Sequence, residues 1–282
     1  MKYFFLAFLF LTFSFNALAE KVESQIHSLD SGINGQPHLV KLTNGQVAFL
    51  EFRQKNLLKK IEQSLQRKDW LQFTLNEQNR LESIQKIAPQ HSYEGRGTFV
   101  RRDPINPYRP TPVSMEQAKV IFENMRNDYK KVSQCYNRAH IWTYDEFIRS
   151  QINSNKVFLF FTSRFIRSHQ FKWWFHVTPM LYIGSVSRSN WKILDRRYTH
   201  GPINSKTWTD IFIKTKSTCK TVYKYSDYRD HQTTQDCYMI PVSMYYVVPS
   251  DIERLESTGE ERIGHEELDI EYALWESFPE PI

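Results

Sequence analysis

The sequence predicts an α+β fold: an open sandwich of helices against antiparallel strands, preceded by a smaller α+β unit. Three observations predict it. A hairpin, a helix and a second hairpin follow one another over residues 36–90. A proline-rich stretch then separates them from two helical segments. Three strand-like runs come next, close enough in sequence to pair antiparallel.

Taken in order, the chain of 282 residues opens with "MKYFFLAFLFLTFSFNALAE". Lys2 supplies a positive start, residues 3–15 are almost wholly apolar, and Ala17 and Ala19 put small side chains where a signal peptidase reads. Residues 1–19 are therefore expected to be a signal peptide cut before Glu20, which makes the protein secreted or periplasmic. An uncleaved anchor is the rival, but the run is too short and wrongly flanked to span a bilayer. No membrane anchor is expected. Residues 20–35 read as a flexible leader.

The run "HLVKLTNGQVAFLEF" has two apolar-rich arms around Asn44-Gly45, a strong hairpin signal. In "QKNLLKKIEQSLQR", Leu57, Leu58, Ile61 and Leu65 recur at helical intervals. "WLQFTLNEQNRLESIQKI" reads as a second hairpin turning near Asn76–Asn79. Residues 91–113, "HSYEGRGTFVRRDPINPYRPTPV", hold four prolines, two glycines and Arg101-Arg102. Proline fixes the backbone and removes donors, so this is a linker open to proteolysis.

Ser114 and Gln117 fit a capping box, and Ala118, Ile121, Phe122 and Met125 form the apolar face of the helix they start. After a break at Lys130-Lys131, a second helix begins with Ser133 as N-cap and Cys135 in its first turn. Strands are predicted in 156–162, 173–184 and 191–195, and a short helix over 204–215. Residues 237–248 form another strand, made edge-like or bulged by Pro241, and "DIERLESTGEERI" reads as a helix. The domain division is thus 1–19, 20–110 and 111–282.

The formal net charge is +6, unevenly spread. Residues 251–282 hold eleven acids against Arg254 and Arg262, a net of −9, leaving +14 on residues 20–250. Such a body could favour acidic proteins or anionic surfaces. The plainer account is solubility, with the tail folded on the body. No nucleic-acid motif accompanies the basic residues, so no nucleic-acid partner is expected.

Cys135 stands apart from the other two cysteines, at a helix start. The thiolate is the useful form of Cys, and a helix N-terminus stabilises it and offers N–H groups to an oxyanion. A nucleophilic Cys also needs a base and a group to orient that base. His176 lies mid-strand in "WWFHVTPML" and Asp195 ends the next strand, "WKILDRR". If the two strands pair antiparallel, the carboxylate reaches the imidazole. Each residue also has a plain structural role open to it: packing for Cys, core for His, turn for Asp. Their order and context together favour chemistry. His140 falls off the Cys face of the helix, and His169 and His200 fall in loops. Trp173, Trp174 and Trp208 are candidate cleft walls. An exported chain meets an oxidising compartment, so Cys219 and Cys237 are expected to pair, leaving Cys135 free. No Cys or His pair stands at a metal-ligand spacing; neither metal nor cofactor is expected.

Helix-start Cys, strand His and strand-end Asp is the layout of papain-like and transglutaminase-like enzymes. The runs "CYNRAH", "WWFHVTPML", "WKILDRRYT" and "GPINSKTW" occur in the order seen in bacterial protein glutaminases, the secreted protein-glutamine deamidases, and residues 114–220 resemble that family. Arg196-Arg197 depart from it, replacing a proline-containing run on the substrate side. The resemblance implies Cys135 as nucleophile, His176 as base and Asp195 as orienting acid, acting on protein or peptide substrates with exposed Gln. It also implies that residues 20–110 are a pro-region covering the site, with the linker as cleavage zone. A permanent N-terminal domain is the alternative. Within the same chemistry, a transglutaminase or cysteine protease would use the same triad, and a catalytically silent secreted binding module would keep only the fold.

Overall fold

The computed structural model describes residues 19–32, 35–88, 97–187, 190–213 and 218–279. The predicted signal segment lies outside the described residues, save Ala19.

The N-terminal unit holds β1 (Glu20–Ser24), β2 (Ile26–Asp30), β3 (His38–Leu42), β4 (Val47–Leu50), α1 (Lys55–Arg67), β5 (Leu71–Leu75) and β6 (Leu81–Lys86). Both hairpins and the helix fall where the sequence put them. The leader does not: its residues form β1 and β2. β1 pairs antiparallel with β5, setting Val22 opposite Phe73, and β2 pairs with β3. Two three-stranded sheets result, β1-β5-β6 and β2-β3-β4. Ile61 of α1 packs with Val22, Ile26, Val40, Leu50 and Phe73 in their common core.

The linker is also more ordered than expected. β7 (Thr98–Arg101) lies inside it and pairs with β13 (Glu260–Ile263). Beyond the exposed residues 102–106, the arm is tied down again: Thr111 N–H donates to Asn153 O at 2.9 Å and Val113 N–H to Tyr182 O at 2.9 Å.

The body continues with α2 (Met115–Asn124), α3 (Cys135–Ser150), β8 (Asn155–Phe161), α4 (Ser163–His169), β9 (Phe175–Tyr182), β10 (Trp191–Ile193), α5 (Ser205–Phe212), β11 (Lys220–Thr221), α6 (Tyr225–Arg229), β12 (Cys237–Ser243), α7 (Pro249–Thr258) and, after β13, α8 (Glu267–Ser277). Its sheet has the order β10-β9-β8-β12-β11. The central strands β8 and β9 are buried on both faces, which explains their near-continuous apolar sequence. The Ser114–Gln117 capping box is present as predicted, with Ala118, Ile121, Phe122 and Met125 buried. β12 is not an edge strand, but β11 covers only Tyr238 and Met239, so Pro241 lies beyond it and leaves no ladder bond unmade there. Cys219 and Cys237 are joined by a disulfide.

The acidic tail folds on the body, as the plainer account of its charge held. It is not one helix: α7 stops at Gly259, whose φ of 73° is left-handed, and the chain turns into β13. Arg262 is buried between Asp251 and Asp269, so part of the tail's acidity is neutralised internally.

The two units share a closely packed junction. Leu39, Val47 and Phe49 enter the core of the body. Val47 N–H donates to Lys172 O and Trp174 N–H to Gly45 O, both at 3.0 Å, so the β3–β4 turn extends the start of β9. Gly45 has φ of 92° and faces Phe175, whose ring would stand 3.2 Å from an added Cβ. Lys41, buried, reaches across to Tyr228 Oη and Gln232 Oε1, each at 3.1 Å, and pairs with Asp30 at 2.9 Å.

Candidate active site

Cys135 is the first residue of α3, one place nearer the cap than predicted. Gln134, not Ser133, is the N-cap, and its side chain makes no capping bond. Two other residues do the bracing. Glu276 of α8 accepts from Gln134 N–H at 2.8 Å and from Asn137 Nδ2 at 3.0 Å. Ser133 Oγ donates to Lys130 O at 2.6 Å and accepts from Arg138 Nη1 at 2.7 Å. The sulfur is thus held at a helix start that is fixed from two sides.

His176 enters from β9, opposite Leu159 of β8. Asp195 lies two residues past β10. The antiparallel β9–β10 ladder sets Ile193 against Met180, and Leu194 N–H continues it to Pro179 O at 2.9 Å. Thr178 Oγ1 clamps Leu194 O at 2.8 Å. That register delivers the Asp195 carboxylate to His176: Nε2 to Oδ2 is 2.7 Å. The same Oδ2 accepts from the Trp208 indole at 2.8 Å. With Nε2 given to Asp195, the ring lines the same cavity as Cys135. The three predicted residues are therefore brought together, all buried.

Charge follows from this geometry. Burial pushes the Cys135 thiol up, but the His176 hydrogen bond and charge, aided by the Arg138 guanidinium, hold it below its ordinary value. Burial also opposes the imidazolium, yet the Asp195 carboxylate and the bonds to Asp195 and Cys135 outweigh it and raise His176 to about 9. Asp195 stays below its usual range, since His176 and the Trp208 N–H offset its burial. Both shifts run toward the charged forms, thiolate and imidazolium.

The other histidines stay apart from the sulfur. His140 is buried on Lys156, Nδ1 to Nζ 2.9 Å, and burial lowers its proton affinity. His169 closes α4 rather than lying in a loop, and His200 is exposed. The three tryptophans separate: Trp173 lines the cavity over Cys135, Trp208 braces Asp195, and Trp174 faces the N-terminal unit, its indole donating to Leu42 O at 2.8 Å. Arg138 and Glu276 are the residues that sequence reasoning missed as parts of the site, and Trp208, expected as a cleft wall, braces Asp195. A charged side chain three places after the Cys was the available signal for Arg138. Glu276 gave none, lying 142 residues from its partner.

The cavity measures about 590 Å³. Its body wall includes Cys135, Arg138, Trp173, His176, Arg197 and Tyr198, and its opposite wall is the N-terminal unit, with Glu20, Val22, Glu23, Asn44 and Gln46. Among the described residues no group of three or more His, Cys, Asp or Glu side chains could hold a metal ion, and no helix is long and apolar enough to cross a membrane.

Residues 114–212 match a family model described as glutaminase. The chain is similar in fold to a crystal structure of pro-protein-glutaminase, at 11% identity and a TM-score of 0.51 over 90% of this chain and 91% of that one. A crystal structure of the A47Q2 mutant of pro-protein-glutaminase aligns at 13% identity with a TM-score of 0.50, over 81% of this chain and 84% of that one. No curated protein matches the chain. The matched segment contains Cys135, His176 and Asp195, and the chain has an α+β fold resembling that of pro-protein-glutaminase.

Proposed function

We propose that the chain hydrolyses the side-chain amide of protein-bound Gln to Glu, releasing ammonia through a thioester on Cys135. The observation that carries this reading is Cys135 at the start of α3 sharing one cavity with His176, whose ring is bonded to the buried Asp195. The thiolate attacks the Gln side-chain carbonyl carbon. N–H groups of the first turn of α3, from Cys135 onward, receive the oxyanion, since the Gln134 N–H is already given to Glu276. His176 protonates the leaving nitrogen, the C–N bond breaks and ammonia departs. Water, deprotonated by the same ring, then cleaves the thioester, leaving Glu and the free thiol. Asp195 keeps the ring oriented and its cation stabilised.

Residues 20–110 act, in this reading, as a pro-region. Support comes from the cavity: its opposite wall is β1 and the β3–β4 turn, so the unit covers one side of the space in front of Cys135. A leader over residues 1–19 and an oxidising destination agree with the Cys219–Cys237 disulfide.

The test is ammonia release from a Gln-rich protein such as casein, by the full chain and by chain cut in the 91–113 segment. Amine incorporation and peptide-bond cleavage are followed in parallel. Ammonia that depends on Cys135 supports deamidation. Amine incorporation or cleavage without ammonia would make it a transglutaminase or a protease, and no reaction in the cut, folded protein would leave a binding module.

A further inference from the structure

We propose that Arg138 is a positioning residue for Cys135, fixing the turn that leads into α3 and standing as the permanent cation beside the sulfur; this rests on Cys135 being the nucleophile. Arg138 follows Cys135 by three residues, so both lie on one face of α3, and both line the same cavity. Only 3% of Arg138 is exposed. Its Nη1 donates to Ser133 O and Ser133 Oγ, which ties the turn before Gln134 to the helix that bears the sulfur. Its face lies over the Tyr129 ring, 5.5 Å from the centroid. Its Nε is buried and has no partner among the described residues.

A buried guanidinium that spends its bonds on a neutral carbonyl and hydroxyl is costly unless its charge is balanced nearby. The balance is in the site. Thiolate, imidazolium and Asp195 carboxylate together leave one net negative charge among buried groups, and Arg138 cancels it. Its field favours the ionised forms of both Cys135 and Asp195. Other groups that face the sulfur do not take this place. His176 of β9 neutralises Asp195; Tyr198 and Tyr136 are uncharged; Glu276, at Gln134, adds negative charge. Arg197 and Lys131 line the cavity with Glu20, Lys21 and Glu23, and Arg197 is bound to Lys131 O at 2.8 Å.

The experiment is iodoacetamide alkylation of the full chain across pH 4–10, read by intact mass. Cys135 is the free thiol, so the signal is unambiguous. Wild type, R138Q, R138K and S133A are compared, with far-UV and near-UV circular dichroism reporting the fold. The alkylation midpoint of R138Q should rise by about 1–2 pH units. That of R138K, which keeps the charge, should stay within about half a unit of wild type. S133A keeps the cation and should not move the midpoint. A folded R138Q with a wild-type midpoint overturns the proposal. So does an R138K whose midpoint rises by a unit or more, and this second variant decides the matter if R138Q does not fold. The titration needs no substrate. A shifted midpoint with no ammonia release in any variant after cutting in the 91–113 segment would retain the role of Arg138 and remove the deamidase reading.

Discussion

Replacing Asp195 with Asn tests the charge state of the site most directly. Asp195 Oδ2 accepts two buried donors, His176 Nε2 at 2.7 Å and Trp208 Nε1 at 2.8 Å. Asparagine is isosteric and can accept both bonds with its carbonyl oxygen in the Oδ2 place, but it removes the negative charge and buries an NH₂ in the Oδ1 place, where no partner stands among the described residues. His176 stands at about 9 against an ordinary 6.5. At ~1.4 kcal/mol per tenfold in proton affinity, the surroundings favour the imidazolium by about 3 kcal/mol. Asp195 is the largest favourable contributor, so most of that is lost in D195N. Ammonia release should fall on the order of 10²–10³-fold at neutral pH, with KM little changed. Stability should respond with a definite sign. Because the folded state raises His176, its contribution is complete below about pH 6.5 and lost as pH rises through about 9. The lowered Cys135 thiol contributes with the opposite sign, so the slope is read with the thiol removed: C135A should lose urea stability between those limits, and C135A/D195N should lose much less. A folded D195N that deamidates within threefold of wild type, or a folded C135A/D195N that keeps the C135A pH slope, refutes the ion-pair argument.

C135A should abolish ammonia release with the fold intact, and H176A should be about as damaging, since the two act as a unit; retained activity in H140A and loss in H176A fixes the base by the same assay. Replacing Cys219 and Cys237 with Ser opens a loop of sequence separation 18 and should lower urea stability by ~3 kcal/mol, and an unchanged midpoint would show the crosslink to be energetically idle. Limited proteolysis should cut near residues 95–113, most readily in the exposed segment 102–106, where Ile105 is 87% exposed, and raise ammonia release. Residues 20–100 added back should lower it again, K41M should add back more weakly, and an uncut chain already at full activity would make the unit a permanent domain.

What the sequence made legible was local. The hairpin at Asn44-Gly45, the turn at Asn79 with φ of 56°, the Ser114 capping box and the helix start at Cys135 are each written in a few adjacent residues. His176 and Asp195 were legible because β9 and β10 are neighbours in sequence, so the register follows from pairing them antiparallel. The misses are non-local. "EKVES" has little apolar alternation, and β1 forms because Val22 meets Phe73, 51 residues on. β7 needs β13, which pairs Thr98 with Ile263. Ser133 was preferred over Gln134 as N-cap because its side chain is the better capping group. In the fold that hydroxyl is engaged instead by Lys130 and Arg138.

The start of α3 is where these distant parts meet, and their meeting restricts the chemistry. Helix starts leave several N–H groups unbonded, and in isolation any of them could receive an oxyanion. Glu276, from the last helix described, takes the Gln134 N–H and the Asn137 amide, so the N-cap donor is withdrawn and the available ones begin at Cys135 itself. A carboxylate so placed also opposes a thiolate nearby, which raises the need for a compensating cation, and Arg138 stands one turn along the same helix. In the proposed reaction the acidic tail thus has a task beyond solubility: it sets which donors face the substrate carbonyl. The N-terminal strand β1 closes the other side with Glu20 and Glu23, so the cavity that Lys131 and Arg197 line on the body side is met by acids on the covering side. Release of that strand would leave the basic residues of the body facing solvent beside Cys135, on the side where the proposed protein substrate would sit.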